Sequence, residues 1–219
     1  MCALTATLLL AVTAGGTAQA GPDATAAAEA LQRKYDGIKD FSTDFVHAYE
    51  GGVLRKRLTE RGRLLVKKPG KMRWEYTSPE QKLFVSDGMK MYSYLPQEKQ
   101  VIVSSIPAED HATTPTLFLA GKGNLTRDFT ASFTDLPAGM PAGGRPLKLI
   151  PKIRQPDYDW LVLVVDPATL AIRGLVTGDA QGGKSSFSFS NLKENIGLAD
   201  REFAFKIPRG VDVVNSPRF

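Results

Sequence analysis

The sequence predicts a mainly β fold, either a barrel or a strongly curved sheet, with a few short helices. Two observations favour this fold class. Eleven or twelve strand-length runs follow one another from Phe41 onward, and no long helical repeat separates them, which argues against a layered α/β fold. In addition, Lys67–Val103 alternates apolar and polar residues through three consecutive runs, as half-buried strands do.

Residues 1–20 are predicted to be a secretory signal peptide. Leu4–Thr13 is apolar, and Ala18-Gln19-Ala20 has the small-x-small pattern of a cleavage site, so the mature chain would begin at Gly21. The apolar run is shorter than the roughly 20 residues that span a bilayer, which disfavours a membrane anchor. No Lys or Arg precedes Gly21, where a basic n-region belongs, and a start upstream of Met1 is therefore an open alternative.

Cys2 is the only cysteine and would be removed with the signal. The mature domain must then be stabilised by its own core, which roughly 200 residues can supply. A lipobox is not expected, because Cys2 directly follows Met1. The expected organisation is a signal peptide over residues 1–20 and one domain over residues 21–219, with Pro137–Pro146 as a loop inside that domain.

In the first half of the domain, the sequence predicts one helix and six strands. Asp23 can cap a helix that runs to about Asp36, and Gly37 can end it. Its apolar stripe is Ala27, Leu31, Tyr35 and Ile38. The strands are Phe41–Tyr49, Leu58–Lys67, Lys71–Tyr76, Lys82–Ser86, Met89–Leu95 and Gln100–Ser104, and Pro69-Gly70 and Asp87-Gly88 are turns.

A short apolar helix interrupts the β pattern at Thr114–Ala120. Thr114 can cap it, Pro115 suits its first turn and Gly121 can close it. The remaining strands are Asp128–Thr134, Leu147–Ile153, Trp160–Asp166, Leu170–Thr177, Lys184–Leu192 and Glu202–Ile207. This short helix and the N-terminal helix are the segments available to cover an aromatic-rich concave face.

The charge pattern argues against a nucleic-acid site. The chain has 28 Lys plus Arg against 23 Asp plus Glu, a net charge of +5. The basic residues alternate with apolar ones, as in Lys71-Met72-Arg73-Trp74, which is typical of solvated outer strand faces. No basic block is interleaved with aromatic residues, so an anionic membrane surface or an acidic partner is the better expectation.

The residues that could carry catalysis are few. The two histidines, His47 and His111, are not near a nucleophile motif, and Gly-x-Ser-x-Gly is absent. Without Cys in the mature chain, zinc would need both histidines and distant carboxylates. Glu109-Asp110-His111 is better interpreted as a solvated loop than as an acid-base cluster. We therefore expect no enzyme activity, no metal and no cofactor.

Several segments resemble the LolA family of periplasmic lipoprotein carriers. They are the basic-basic-Pro run Lys67-Lys68-Pro69 with the Trp74 strand, Ser86-Asp87-Gly88, Tyr94-Leu95-Pro96, Phe41–Phe45, the Thr114-Pro115 helix, Asn124–Phe129 and Phe205–Val211. The resemblance covers nearly the whole mature chain. It implies an incomplete antiparallel β-barrel of about eleven strands, with an α-helical lid over a hydrophobic cavity.

The resemblance also implies site residues. In the family, an Arg before the Pro of the Trp strand donates hydrogen bonds to lid carbonyls and holds the empty cavity shut. Lys68 stands at that position, and its single ammonium group replaces the planar guanidinium of Arg, which has five donors. The acyl-chain cavity would be lined by Met72, Trp74, Tyr76, Phe84, Met91, Leu117, Phe118 and Leu119. Ordinary core packing is the alternative for any single one of Met72, Trp74 and Tyr76.

The function implied is that of a monomeric periplasmic carrier that shields lipoprotein acyl chains between the inner and outer membranes. An inner-membrane ABC transporter (LolCDE-like) would load it, and an outer-membrane receptor (LolB-like) is a possible acceptor. The alternative is a periplasmic lipid- or lipoprotein-binding sensor related to RseB, a class with a second domain for which this length leaves no room. A hydrolase is the third alternative.

Overall fold

The computed structural model describes residues 22–51, 57–106, 118–155 and 157–216. These ranges contain α1 (Pro22–Asp36), α2 (Leu125–Asp128), a 3-10 helix at Asp200–Phe203 and, at Phe118 and Leu119, the end of a further helical turn. The strands are β1 (Asp40–Glu50), β2 (Arg57–Lys67), β3 (Lys71–Ser78), β4 (Lys82–Asp87), β5 (Lys90–Leu95), β6 (Gln100–Ser105), β7 (Phe129–Phe133), β8 (Arg145–Pro151), β9 (Trp160–Val165), β10 (Ile172–Gly178), β11 (Lys184–Glu194) and β12 (Asp212–Ser216).

All twelve strands form one sheet in the order β12-β6-β5-β4-β3-β2-β1-β11-β10-β9-β8-β7. Neighbours pair antiparallel except β12, which pairs parallel with β6. The sheet is open, because β12 and β7 are its two edges. The predicted fold class, an incomplete barrel of mostly antiparallel strands, is confirmed. The first eleven predicted strands match within two residues at each end, the usual scatter of strand boundaries.

The twelfth predicted strand, Glu202–Ile207, is wrong. Phe203 ends the 3-10 helix and is 1% exposed. Phe205 follows it and packs against the rings of Tyr92 and Tyr94 on β5. Phe203 and Phe205 thus recur at every second position because the segment lies across the outer surface of the sheet. The last strand comes later, at Asp212–Ser216.

Helix α1 ends where predicted but begins at Pro22, two residues before the residue that would follow a cap at Asp23, so Asp23 is not the cap. Asp23 therefore lies in its first turn, where a negative charge suits the positive end of the helix dipole. Leu31, Tyr35 and Ile38 are buried as the stripe predicts, while Ala27 is partly buried. These side chains form the face of α1 that is directed toward the sheet, and α1 packs against α2 and β7. No helix in the described ranges is both long and apolar enough to cross a membrane.

One apolar cluster fills the space between α1 and one side of the sheet, which we call the inner face. Alternate residues of β1–β5 and β7–β11 contribute to it, including Phe45 on β1 and Leu64 on β2. Gly62 lies opposite Phe45, and a Cβ at this glycine would be 2.6 Å from the Phe45 ring and 2.0 Å from the Glu75 carbonyl oxygen. The large ring on the inner face therefore requires a glycine beside it.

Candidate functional site

Most of the residues predicted to line a cavity lie in the apolar cluster on the inner face. Met72, Trp74, Met91, Phe118 and Leu119 are buried members of it. Tyr76 and Phe84 are partly buried and pack against it. The indole Nε1 of Trp74 lies 3.4 Å from the sulfur of Met72. Leu117 lies outside the described residues, and the cavity-lining role of the set remains a proposal.

A narrow opening with a cavity volume of about 20 Å³, room for about one water molecule, enters this interior at the carboxyl end of α1. Its walls come from α1 and β1, from Leu119, and from the strands β10 and β11. The lining residues are Tyr35, Ile38, Phe41, Thr43, Leu119, Leu170, Ile172, Phe189, Leu192 and Glu194. Most of these side chains are apolar, so the opening suits a hydrocarbon better than a polar ligand.

The residues Phe118–Gly121, which we call the closing segment, lie beside this opening. Phe118 and Leu119 are the end of a helical turn, and Gly121 closes it with φ of +82° and an N–H bond to the Phe118 carbonyl oxygen of 2.9 Å. This agrees with the predicted end of the short helix. Residues 107–117 lie outside the described residues. They include Thr114, Pro115 and the loop Glu109-Asp110-His111.

Two hydrogen bonds fasten the closing segment to the rest of the fold. The Tyr35 hydroxyl donates to the Leu119 carbonyl oxygen at 2.5 Å, and the Gly70 N–H donates to the Ala120 carbonyl oxygen at 2.8 Å. The ring of Tyr35 also stacks on Phe118, with centroids 5.2 Å apart. Burial raises the pKa of the Tyr35 hydroxyl far above its usual range, so the hydroxyl remains a proton donor.

Lys68 lies behind Tyr35. Its Nζ donates a hydrogen bond to the Tyr35 carbonyl oxygen and is 3.8 Å from the centre of the Tyr35 ring. Burial lowers the pKa of Lys68 from 10.5 to about 8, and Asp36 partly opposes this shift. The carbonyls of residues 118–120 thus bond to Tyr35, Gly70 and Gly121, whereas Lys68 bonds to α1. Residues 114–117 lie outside the described residues, and Lys68 as a lid latch remains a proposal.

Sequence reasoning missed two residues at this place. Tyr35 was assigned only to the apolar stripe of α1, although its hydroxyl reaches the closing segment. Gln32 accepts a hydrogen bond from the Leu125 N–H at 2.8 Å and donates to Asp36 at 2.7 Å, which joins α1 to α2. A polar residue next to an apolar stripe was the available signal for Gln32.

A second group of polar residues lies on the inner face, at the far end of β1. His47 Nδ1 is 3.2 Å from Glu60 Oε2, and His47 Nε2 is 2.9 Å from the Ser185 hydroxyl. Lys82 Nζ bonds to the other oxygen of Glu60 at 2.7 Å. We call His47, Glu60, Lys82 and Ser185 the polar cluster. Burial is the main cause of the lowered pKa of His47; Glu60 raises it and Lys82 lowers it further.

The order Ser185, His47, Glu60 resembles the hydrogen-bonded order of a nucleophile, a base and an orienting carboxylate. Two features disfavour that chemistry. Lys82 neutralises the carboxylate that would stabilise a protonated His47. Ser185 is also paired with Tyr49 on β1 and Thr177 on β10, so the backbone around it serves the sheet rather than a developing oxyanion.

The comparisons with known proteins agree on one family. The family model described as outer membrane lipoprotein carrier protein LolA matches residues 36–206. The outer-membrane lipoprotein carrier protein of Chromohalobacter salexigens is 31% identical over 215 residues, 97% of this chain and 94% of that protein. The protein of the same name from Methylococcus capsulatus is 29% identical over 183 residues, 84% of this chain and 85% of that one.

Among solved structures, an uncharacterized conserved protein from Thermus thermophilus matches with a TM-score of 0.53. The match covers 86% of this chain and 99% of that protein, at 14% sequence identity. At this identity the match establishes the fold.

Proposed function

We propose that this chain, which belongs to the LolA family of outer membrane lipoprotein carrier proteins, is a periplasmic carrier that holds the acyl chains of lipoproteins against its inner face. The observation that carries the proposal is the apolar cluster beneath α1, together with the apolar opening that enters it. A chain that enters at Ile38 and Phe41 would next meet Phe45, Trp74 and Met72. Met72 and Met91 suit such a ligand, since Met adapts to irregular shapes.

The magnitude of the hydrophobic effect implies partners. Each acyl methylene that leaves the bilayer costs about 0.8 kcal/mol unless the carrier buries it again, so extraction of whole chains needs an external energy source. We therefore include in the proposal an ATP-driven inner-membrane transporter of the LolCDE kind that loads the carrier. A receptor of the LolB kind at the outer membrane would accept the cargo. The proposal contains no catalytic step, no cofactor and no nucleotide site in the carrier.

Loading requires the closing segment to move, because the interior is packed in the structure. Its described polar attachments are the bonds from Tyr35 and Gly70. A ligand that occupies the interior competes with Phe118 and Leu119 for the same apolar surface. The bound ligand would then favour an open form, while the two hydrogen bonds favour the closed one.

Residues 1–20 lie outside the described residues, and we propose that they are a signal peptide that exports a single domain of residues 21–219. Export would place the carrier between the two membranes. Cell fractionation with an antibody tests this directly. Mature protein in the periplasmic fraction that begins at Gly21 is the expected result.

The carrier function is tested by depletion in the native host, followed by separation of the inner and outer membranes. We expect lipoproteins to accumulate in the inner membrane and to return to the outer membrane when the wild-type gene is restored. An unchanged distribution of lipoproteins after depletion would contradict the proposal.

A release experiment gives a second test. Spheroplasts with labelled lipoproteins are incubated with the purified carrier, with ATP present or depleted. We expect lipoprotein to leave the spheroplasts in a complex with the carrier only when ATP is present. Release that is independent of ATP would exclude the loading transporter.

A further inference from the structure

The polar cluster is positioned at the end of an otherwise apolar row. One row of laterally paired inner-face residues crosses seven strands: Glu60, His47, Phe187, Leu175, Leu163, Leu147 and Phe133. Five of its members are apolar, and the two polar ones meet Lys82 and Ser185. The His47 ring stacks on Phe187 with centroids 4.2 Å apart, so polar and apolar groups are in direct contact there.

The cluster is well shielded from solvent and internally satisfied. The side chain of Glu60 is 6% exposed, that of His47 15% and that of Lys82 24%. Both carboxylate oxygens of Glu60 and both ring nitrogens of His47 have a partner within 3.2 Å. Such a network is costly to disrupt, because removal of one partner leaves a buried charge or donor unmatched.

The opening and the cluster lie at opposite ends of β1. Phe41 lines the opening, and His47 follows it by six positions on the same inner face. At about 3.3 Å per residue, the two are roughly 20 Å apart along the strand. The large inner-face side chain between them on β1 is Phe45, which contacts Trp74, Tyr76 and Phe187.

We propose that the polar cluster is the inner end of the ligand site and limits the length of acyl chain that this protein accepts. The inference rests on the proposed function, since it assumes that acyl chains enter at the opening. A chain that reaches His47 would have to separate the buried Glu60–Lys82 pair to go further, and apolar contacts do not replace the partner that each charge would lose. Methylenes beyond this depth remain outside the site and add nothing to affinity.

The test is a displacement titration with saturated monoacylglycerols from decanoyl to arachidoyl, against a fluorescent fatty-acyl probe. For the wild type we expect affinity to rise up to about fourfold per methylene, the change that corresponds to about 0.8 kcal/mol, and then to stop rising at one chain length. In the double variant Glu60→Leu/Lys82→Met this break should move to a longer chain by at least about two methylenes.

Removal of both charges together avoids an unpaired buried ion, and apolar replacement of such pairs is often tolerated. If this variant fails to fold, Glu60→Gln/Lys82→Gln keeps the shape and removes the charges, and its break should move in the same direction. The matched control is Glu50→Leu/Arg57→Met, which removes an exposed ion pair from the same two strands at 3.0 Å. The control should keep the wild-type break.

The outcomes separate the two proposals. An identical break in the wild type and in the folded charge-free variants overturns the depth limit but leaves the carrier function intact. A wild type that binds no member of the series overturns the carrier function and the depth limit together. A shifted break in the control as well would also overturn the inference, because any loss of charge would then produce the effect.

Discussion

The ammonium group of Lys68 lies 3.8 Å from the centre of the Tyr35 ring, and the hydroxyl of the same ring donates to Leu119. Tyr35 thus stands between the basic residue and the closing segment. Lys68 donates a hydrogen bond to the backbone carbonyl of Tyr35 near the end of α1, and the Tyr35 side chain contacts the closing segment. If the closing segment moves to admit a ligand, as we propose, we expect its closed form to depend on the tyrosine as much as on the lysine, and the two residues can be tested separately.

Tyr35→Phe should weaken closure without removing the ring. The Leu119 carbonyl oxygen would lose its hydrogen bond in a buried place, which costs about 1–3 kcal/mol. We expect the free energy of unfolding to fall by an amount in this range. We also expect uptake of a fluorescent acyl probe to become faster, because the closed form is less favoured. Denaturant titration and stopped-flow fluorescence measure the two effects.

Tyr92→Phe is the matched control for this substitution. It removes a hydroxyl that is 3.5 Å from Asp87 on the other side of the sheet. The control should leave both stability and uptake close to the wild type. Equal uptake rates in wild type and Tyr35→Phe would exclude a role for this bond in closure.

Lys68 should give the protein a pH-dependent stability at alkaline pH. Its pKa is about 8 in the folded protein and 10.5 when unfolded, so between these values the unfolded state binds more protons. The contribution of Lys68 to the free energy of unfolding therefore rises with pH across that window. Below about pH 8, Lys68 is charged in both states, and the full cost of burying its charge applies. The stability difference between Lys68→Met and the wild type should move in favour of the wild type from pH 7.5 to pH 10.

Urea titrations of both proteins across this pH range measure the difference, in which the other lysines cancel. Lys90→Met, at an exposed position on β5, is the control and should show no such trend. A flat difference for Lys68→Met would mean that Lys68 is as well solvated in the folded protein as in the unfolded one.

Much of the fold follows from local sequence, because the sheet is a series of hairpins. Met72, Trp74 and Tyr76 alternate with charged residues, and their strand is where the alternation places it. Phe203 and Phe205 also recur at every second position, yet their segment crosses the outer surface of the sheet. Alternation records which side of a segment is buried; it does not record whether the backbone pairs with a neighbour.

The site was less predictable, since its polar contacts join distant parts of the chain. The Tyr35 hydroxyl reaches Leu119, which is 84 residues away, and His47 reaches Ser185, which is 138 residues away. No periodicity encodes such distances. His47 and Glu60 form a partial exception, because they lie on consecutive strands at positions that pair directly.

The pKa of His47 should report the balance of charge in the polar cluster. Burial lowers it below the ordinary 6.5, while Glu60 raises it and Lys82 lowers it. We therefore expect Lys82→Met to raise the pKa of His47 and Glu60→Gln to lower it further. Because the folded value is below the unfolded one, stability from this residue is complete above the unfolded pKa and falls as pH drops through it.

An NMR titration of the two histidines measures this prediction. The His111 signal, assigned with a His111→Gln variant, serves as the internal reference. Shifts in opposite directions for Lys82→Met and Glu60→Gln would support the described network. The same direction for both variants would show that His47 responds to general loosening of the fold.

Gly121→Ala should disturb both the backbone and Lys68. At φ of +82° an alanine costs about 1–2 kcal/mol in backbone strain. Its Cβ would also lie 2.4 Å from Cδ and 2.8 Å from Cγ of Lys68, so the lysine must leave its place over Tyr35. Gly139→Ala is a close control, because its φ is +80° and nothing lies within 4 Å of the added Cβ.

The control should therefore show the backbone cost alone, and Gly121→Ala should exceed it by about 1 kcal/mol or more, as overpacking does. Denaturant titration of both variants measures the excess. Most of the excess should disappear when Gly121→Ala is made in a Lys68→Ala background, since Cγ and Cδ are then gone and only the Cβ of residue 68 remains, at 3.3 Å. If it persists there, the crowding arises from the closing segment itself, and Lys68 does not support closure through this contact.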